Sequence, residues 1–359
     1  MRIGLIAPPA LRVPPVRYGG TELVVKELCD GLAARGHEVV LYASGDSRVA
    51  CELRARFGEA RWPAEPLDEW EHVAHAVADL AAEGRVDVVH AHTPAAVALA
   101  PFLPAPFVYT IHHGPSARLS ELYAAHPEVA YVAISRRQRQ LEWRLAEAEV
   151  VLHGLGVDRY PEGRPEPEAP YLLFLGRLSS CKGPEVAIDV AGRLGLPLRV
   201  AGRAHPEGSE EAERFRTEIE PRLASPWVAR LGDVDHEDKV RLLGGATALL
   251  CPTRWEEPFG LAAVEAMLCG CPVVAFPRGA LPELIDPGVT GFCVRDAAEM
   301  EAVLRRSVPA FDRRACRERA RARFGAAAMV ESYLAVYHRA LRRRRREPAV
   351  LRAGDGVRG

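Results

Sequence analysis

Short runs of Val, Ile and Leu alternate with longer stretches of helical period, and this pattern occurs twice along the 359 residues. A run apolar at every position but too short for a helix is buried on both faces, as in the interior of a parallel sheet. The longer stretches between such runs are the crossover helices. In the first series the strand candidates are Ile3 to Pro8, Glu38 to Ala43, Val86 to His90, Phe107 to Ile111, Tyr131 to Ile134 and Val150 to Leu152. Thr21 to Arg35 and Asp68 to Glu83 are the clearest helices among them. The second series has strands at Tyr171 to Leu175, Leu198 to Ala201, Ala248 to Pro252 and Pro272 to Phe276, with helices opening at Pro184, Asp235 and Phe259. Helical stretches at Ala297 to Val308 and Ala326 to Arg346 close the chain. The expected fold class is therefore α/β, with Rossmann-like domains at 1–160 and 171–335. A Pro- and Glu-rich linker at 161–170 joins them, and a terminal helix and basic tail occupy 336–359. Ligands of open parallel sheets sit at the carboxyl ends of the strands, so the site is expected in the cleft between the domains.

Charge excludes one class of partner. Lys+Arg 47 against Asp+Glu 48 leaves a net charge of -1, with no global field to hold nucleic acid. The imbalance is local, since from Arg339 onward eight Arg face only Glu347 and Asp355. The run Arg342–Arg346 reads first as a solvated helix end and second as a point of weak contact with an anionic lipid surface. The eight Cys show neither zinc nor redox spacing, and the apolar run in MRIGLIAPPA is too short for a signal peptide or a membrane span. A cytoplasmic protein is expected, with peripheral placement at the inner membrane face as the secondary reading. Only Lys26, Lys182 and Lys239 are lysines, and Asn is absent.

Chemistry concentrates in two loops of the second series. Trp255 to Pro272, WEEPFGLAAVEAMLCGCP, leaves a strand and opens a helix at Phe259. The amides of Phe259, Gly260 and Leu261 are then unpaired and suited to an anion. Glu257 precedes that helix and Glu265 lies two turns along it, so the two carboxylates can accept hydroxyl hydrogens at two places on one extended ligand. Gly176 to Gly183, GRLSSCKG, follows the first strand of the same domain and places Arg177 and Lys182 at its carboxyl end. A lysine kept where nearly every cation is Arg suits a compact ammonium that must approach a phosphate oxygen.

GRLSSCKG and EEPFGLAAVEA, with RGALPELI and GVTGF after them, resemble the carboxyl-terminal domain of the retaining family 4 glycosyltransferases of GT-B fold. PPVRYGGTELVV, DVVHAHTP, YTIHHG and VAIS resemble that family's amino-terminal half, so the likeness extends to about Tyr337. The resemblance implies two domains facing across a cleft, with the terminal helix returning to the first. It implies transfer of a hexose from a nucleotide diphosphate sugar with retention, without metal or other cofactor. Residue by residue, it implies that Arg177 and Lys182 bind the donor diphosphate, that Phe259, Gly260 and Leu261 bind the same group or the sugar, and that Glu257 contacts the sugar hydroxyls. Glu265 would hold the ribose, Val234 would lie near the base, Gly19 and Gly20 would approach the diphosphate and acceptor, and His112 would lie near the transferred sugar. The acceptor is not legible.

Other patterns point elsewhere. Asp233 and Asp235 spell a DxD that could hold a metal, although Asp235 also suits a helix cap. His90 and His92 with His112 and His113 suggest a metal-dependent hydrolase. In VLHGLGVD, His153 and Gly156 stand where relatives carry Asn and Asp. A nucleotide-sugar-binding protein without transfer, and a donor epimerase or hydrolase of the same fold, are the alternative functions.

Overall fold

The computed structural model describes residues 1–145, 147–164, 169–204 and 210–346. Part of the expected linker, 165–168, and the tail from 347 lie outside the described residues. The first domain is a parallel sheet of seven strands: β1 (Arg2–Ile6), β2 (Glu38–Tyr42), β3 (Glu52–Arg54), β4 (Val88–Ala91), β5 (Phe107–Ile111), β6 (Ala130–Ala133) and β7 (Glu149–Val150), in the order β3-β2-β1-β4-β5-β6-β7. The second has six: β8 (Leu172–Leu175), β9 (Leu198–Ala201), β10 (Val228–Gly232), β11 (Ala248–Cys251), β12 (Val273–Ala275) and β13 (Gly291–Cys293), in the order β10-β9-β8-β11-β12-β13. Each sheet reverses its winding beside its first strand, which is the doubly wound arrangement.

The strands absent from the sequence reading, β3, β10 and β13, are all edges, and β7 ends earlier than expected. An edge strand has one hydrogen-bonding partner and tolerates polar residues, as in Glu52–Arg54. The interior strands β1, β4, β5, β8, β11 and β12 are buried almost throughout and therefore carry the apolar runs.

The terminal helix, Ala326–Arg346, starts ten residues before the 336 boundary and leaves the second domain at once. Met329, Val330, Tyr333, Val336 and Tyr337 pack with Val24, Val25, Leu28 and Leu32 of the helix Gly20–Ala33 and with Ile3 and Leu5 of β1. Its buried face therefore belongs to the core of the first domain. Beyond it, Arg339 pairs with Glu149, and Arg343 donates to the Pro127 carbonyl at 3.0 Å. Among the described residues no helix is long and apolar enough to cross a membrane.

Candidate active site

Gly20, at the start of the first helix, lies so close to the second domain that a Cβ there would stand 2.9 Å from Leu261 Cδ1. Two helix amino termini therefore meet across the cleft. Behind them a cavity of about 300 Å³ is lined by Tyr18, Gly20 and His112 from the first domain and by Arg177, Lys182 and Glu257, among others, from the second.

The helix expected from Phe259 begins instead at Leu261 and runs to Leu268. Gly260 is its cap at φ 100, a left-handed conformation that only glycine adopts cheaply and that cannot continue a helix. Phe259 lies outside the helix, its ring buried 4.9 Å from His153 and 6.4 Å from Phe324. The first paired amide of this turn is Ala263, which donates to the Gly260 carbonyl at 3.0 Å. Among the described residues the amides of Phe259, Gly260, Leu261 and Ala262 have no acceptor. The anion-seeking group thus extends one residue further than expected.

Arg177 and Lys182 both reach this cavity, but in different states. Lys182 pairs with Oε2 of Glu257, which also accepts from Trp255 Nε1 at 2.9 Å. Arg177 has no ion pair among the described residues. Its Nε is buried without a hydrogen-bond partner, and its guanidinium lies 5.9 Å from the Trp255 ring. A buried donor left unpaired is costly unless something binds there.

Glu265 faces a second, adjoining cavity of about 140 Å³, with Gly19, Gly20, Asp233, Val234, His236 and Lys239 also in its wall. The residue is 4% exposed. Oε1 takes the Tyr160 hydroxyl at 2.9 Å and the Lys239 ammonium. The two glutamates therefore serve two neighbouring cavities, and each is matched by one of the chain's three lysines. Lys239 and Tyr160 escaped the sequence reading. The scarcity of lysine was the available signal, since among so many Arg both lysines outside the first domain sit on cleft carboxylates.

In the first domain His112 and His153 line the cavity with their rings stacked at 5.2 Å. His92 Nδ1 meets His112 Nε2 at 2.9 Å, and His90 bonds Tyr337 Oη and Thr110 Oγ1, both at 2.8 Å. Burial holds His90 and His153 down to about 3 and lowers His92 and His112 well below the ordinary imidazole range. Four neutral imidazoles thus run inward from the cleft. His113 is spent on the Gly114 carbonyl and Tyr123 hydroxyl. Asp235 caps the helix His236–Gly245 by accepting from Asp238 N at 2.9 Å, while Asp233 stands 3.8 Å from Arg203.

The domains also touch outside the cavity. Ser135 Oγ donates to the Pro258 carbonyl at 2.7 Å, the amide of Arg136 donates to Glu283 at 2.8 Å, and Arg137 pairs with Glu256. The loop carrying Glu257 is therefore held by both domains.

Residues 159–323 match the family described as Glycosyl transferases group 1, and residues 18–153 match Glycosyltransferase Family 4. A glycogen synthase of Mycobacterium tuberculosis is 30% identical over 375 residues, covering 86% of each chain. The structure of AviGT4, a glycosyltransferase involved in avilamycin A biosynthesis, superposes with a TM-score of 0.75 at 28% identity, over 95% of this chain and 98% of that one. Anabaena HepE, solved with UDP-glucose, shares the fold at a TM-score of 0.71 and 18% identity, over 94% of this chain and all of its own. With both halves matched and a relative aligned along most of its length, this chain belongs to the GT-B glycosyltransferases of family 4.

Proposed function

We propose that the protein transfers a hexose from a nucleotide diphosphate sugar to an acceptor hydroxyl with retention of anomeric configuration, without using a metal. The observation that carries this reading is Arg177, a cation that among the described residues has a buried unpaired Nε and no carboxylate partner, facing the same cavity as Lys182 and the amides of Phe259 to Ala262, which have no acceptor among those residues. Together they form a seat for a diphosphate. The nucleotide would extend past Gly19 and Gly20 into the adjoining cavity, with its ribose at Glu265 and its base near Val234. The hexose would lie toward Glu257 and His112.

As the bond between the anomeric carbon and the phosphate oxygen breaks, its electron pair goes to that oxygen and the sugar becomes oxocarbenium-like. Arg177 and the helix amides already face the cavity, and Lys182 turns to the diphosphate as the donor binds, so the departing anion is stabilised by groups in place before the bond breaks, usually the largest catalytic contribution. The acceptor hydroxyl adds to the face the diphosphate leaves, and its proton passes to the departing phosphate oxygen. No side chain is needed as nucleophile. His112 reaches the sugar neutral, as a hydrogen-bonding group.

Thermal-shift screening with UDP-, GDP- and ADP-glucose tests the reading first. A donor at a hundred times its Kd adds about 2.7 kcal/mol of stability. Release of the nucleoside diphosphate with an acceptor panel, and the product's anomeric configuration by NMR, test the rest. Absence of protection by every donor would sink the proposal, whereas protection without turnover would reduce it to nucleotide-sugar binding.

A further inference from the structure

We infer that Trp255 is a positioning residue of this site, its indole N–H holding Glu257 toward the transferred sugar when Lys182 leaves that carboxylate for the diphosphate. The inference rests on the proposed function. In the structure Oε2 of Glu257 has two donors, the Lys182 ammonium and Trp255 Nε1 at 2.9 Å. A phosphate anion in the cavity competes with that oxygen for Lys182, whose ammonium is a compact charge on a flexible stem. The indole can do only one thing. It is an uncharged donor with no acceptor atom, and its ring edge is seated against the first domain at Gly114.

Three groups adjoin the ring. The Lys182 ammonium lies 4.9 Å from the ring centroid and the Arg177 guanidinium 5.9 Å from it. The ring edge also lies against Gly114 of the first domain, so close that a Cβ on Gly114 would stand 3.3 Å from Cζ3. Seating against Gly114 also links the direction of Glu257 to approach of the two domains. When the ammonium departs, one oxygen of Glu257 remains fixed and the other is open to a sugar hydroxyl. Without the indole the carboxylate would be free to follow Lys182 toward solvent or into the cavity.

The test uses W255F, which keeps an aromatic ring and removes the N–H, alongside the wild type and W255M, which keeps bulk alone. The readouts are kcat with the best nucleotide sugar, Kd for the matching bare nucleoside diphosphate by calorimetry, and the melting midpoint. The expected result is a loss of kcat of roughly tenfold or more, the usual weight of a hydrogen bond to a charged group, with Kd within about twofold and the midpoint unchanged. Unchanged kcat in W255F overturns the inference and leaves the proposed function standing. A joint fall of kcat, nucleotide affinity and midpoint in both variants also overturns it, since that is the pattern of a structural residue. If the wild type itself neither binds a nucleoside diphosphate nor releases one, the functional reading has failed and takes this inference with it.

Discussion

Arg137 of the first domain grips Glu256 of the second with two prongs, Nε and Nη2 standing 2.8 and 3.1 Å from the two carboxylate oxygens. Glu256 is the immediate neighbour of Glu257, so this pair ties the first domain to the loop that carries the site. Both partners remain partly open to solvent, which limits the pair's weight and exposes it to screening by salt. Substituting R137Q should raise the donor KM about two- to fivefold. It should also flatten the dependence of KM on sodium chloride. Steady-state kinetics at low and high salt would check this, and an identical salt response in wild type and variant would contradict it.

Lys182→Ala and Glu257→Ala should both fold and both lose transfer, the former by on the order of a hundredfold in kcat. They should differ in binding. Loss of Lys182 weakens the bare nucleoside diphosphate, whereas loss of Glu257 weakens the intact sugar donor more than the diphosphate. Calorimetry with both ligands would separate the two effects. Undiminished turnover in the two variants would remove these residues from the mechanism.

Gly279→Ala should cripple the site from behind. At φ +59 a side chain is strained, and a Cβ there would lie 2.1 Å from the backbone nitrogen of Glu257 and 2.2 Å from its oxygen. Backbone strain alone costs about 1–3 kcal/mol, and the overlap must also push the Glu257 loop toward the cavity. Lower kcat together with a lower melting midpoint is expected. A variant with both values at wild-type level would show that the loop yields freely.

Acid should destabilise the protein well above the pH at which carboxylates protonate. The unfolded chain binds protons at His90, His92, His112 and His153 as pH falls through about 6.5, whereas the native state does not until far lower, near about 3 for His90 and His153. Stability is therefore present above that range and lost progressively below it, by up to about 1.4 kcal/mol per pH unit for each group. Glu22, pushed up to about 7 by burial, acts in the opposite sense, but it is one carboxyl against these four imidazoles and His72, which burial lowers to about 4. Melting midpoints from pH 7.5 to 5 should fall steadily. A flat profile would mean that water or movement relieves the burial.

Interior strands and the glycine-marked start of the first helix were readable because burial on both faces and unusual backbone angles leave marks on single residues. The edges β3, β10 and β13 left no such mark. Phe259 misled because an apolar residue beside a helix looks like its first turn, although Gly260 stops the helix from including it. Trp255, Lys239 and Tyr160 were not legible as site residues. Lys239 and Tyr160 act on a carboxylate 26 and 105 residues away, and Trp255 differs from any exposed aromatic only once Glu257 is folded against it.

Gly156 is explained only by packing. A Cβ there would stand 3.0 Å from Glu27 Oε2, and Arg159 pairs with the same carboxylate at 3.2 Å. An acid in this turn would stand against the carboxylate already supplied by the first helix. G156D should accordingly lower the melting midpoint, and adding E27Q should recover part of the loss. No recovery would mean that the two positions do not communicate.

The return of Ala326–Arg346 to the first sheet has a practical consequence for engineering. The amino-terminal half is discontinuous in the chain, so a hybrid enzyme cut once near residue 160 would dress one parent's sheet with the other parent's closing helix. Second domains exchanged among relatives should therefore be excised at both ends, near 160 and at Gly325, so that the last segment stays with the half it covers.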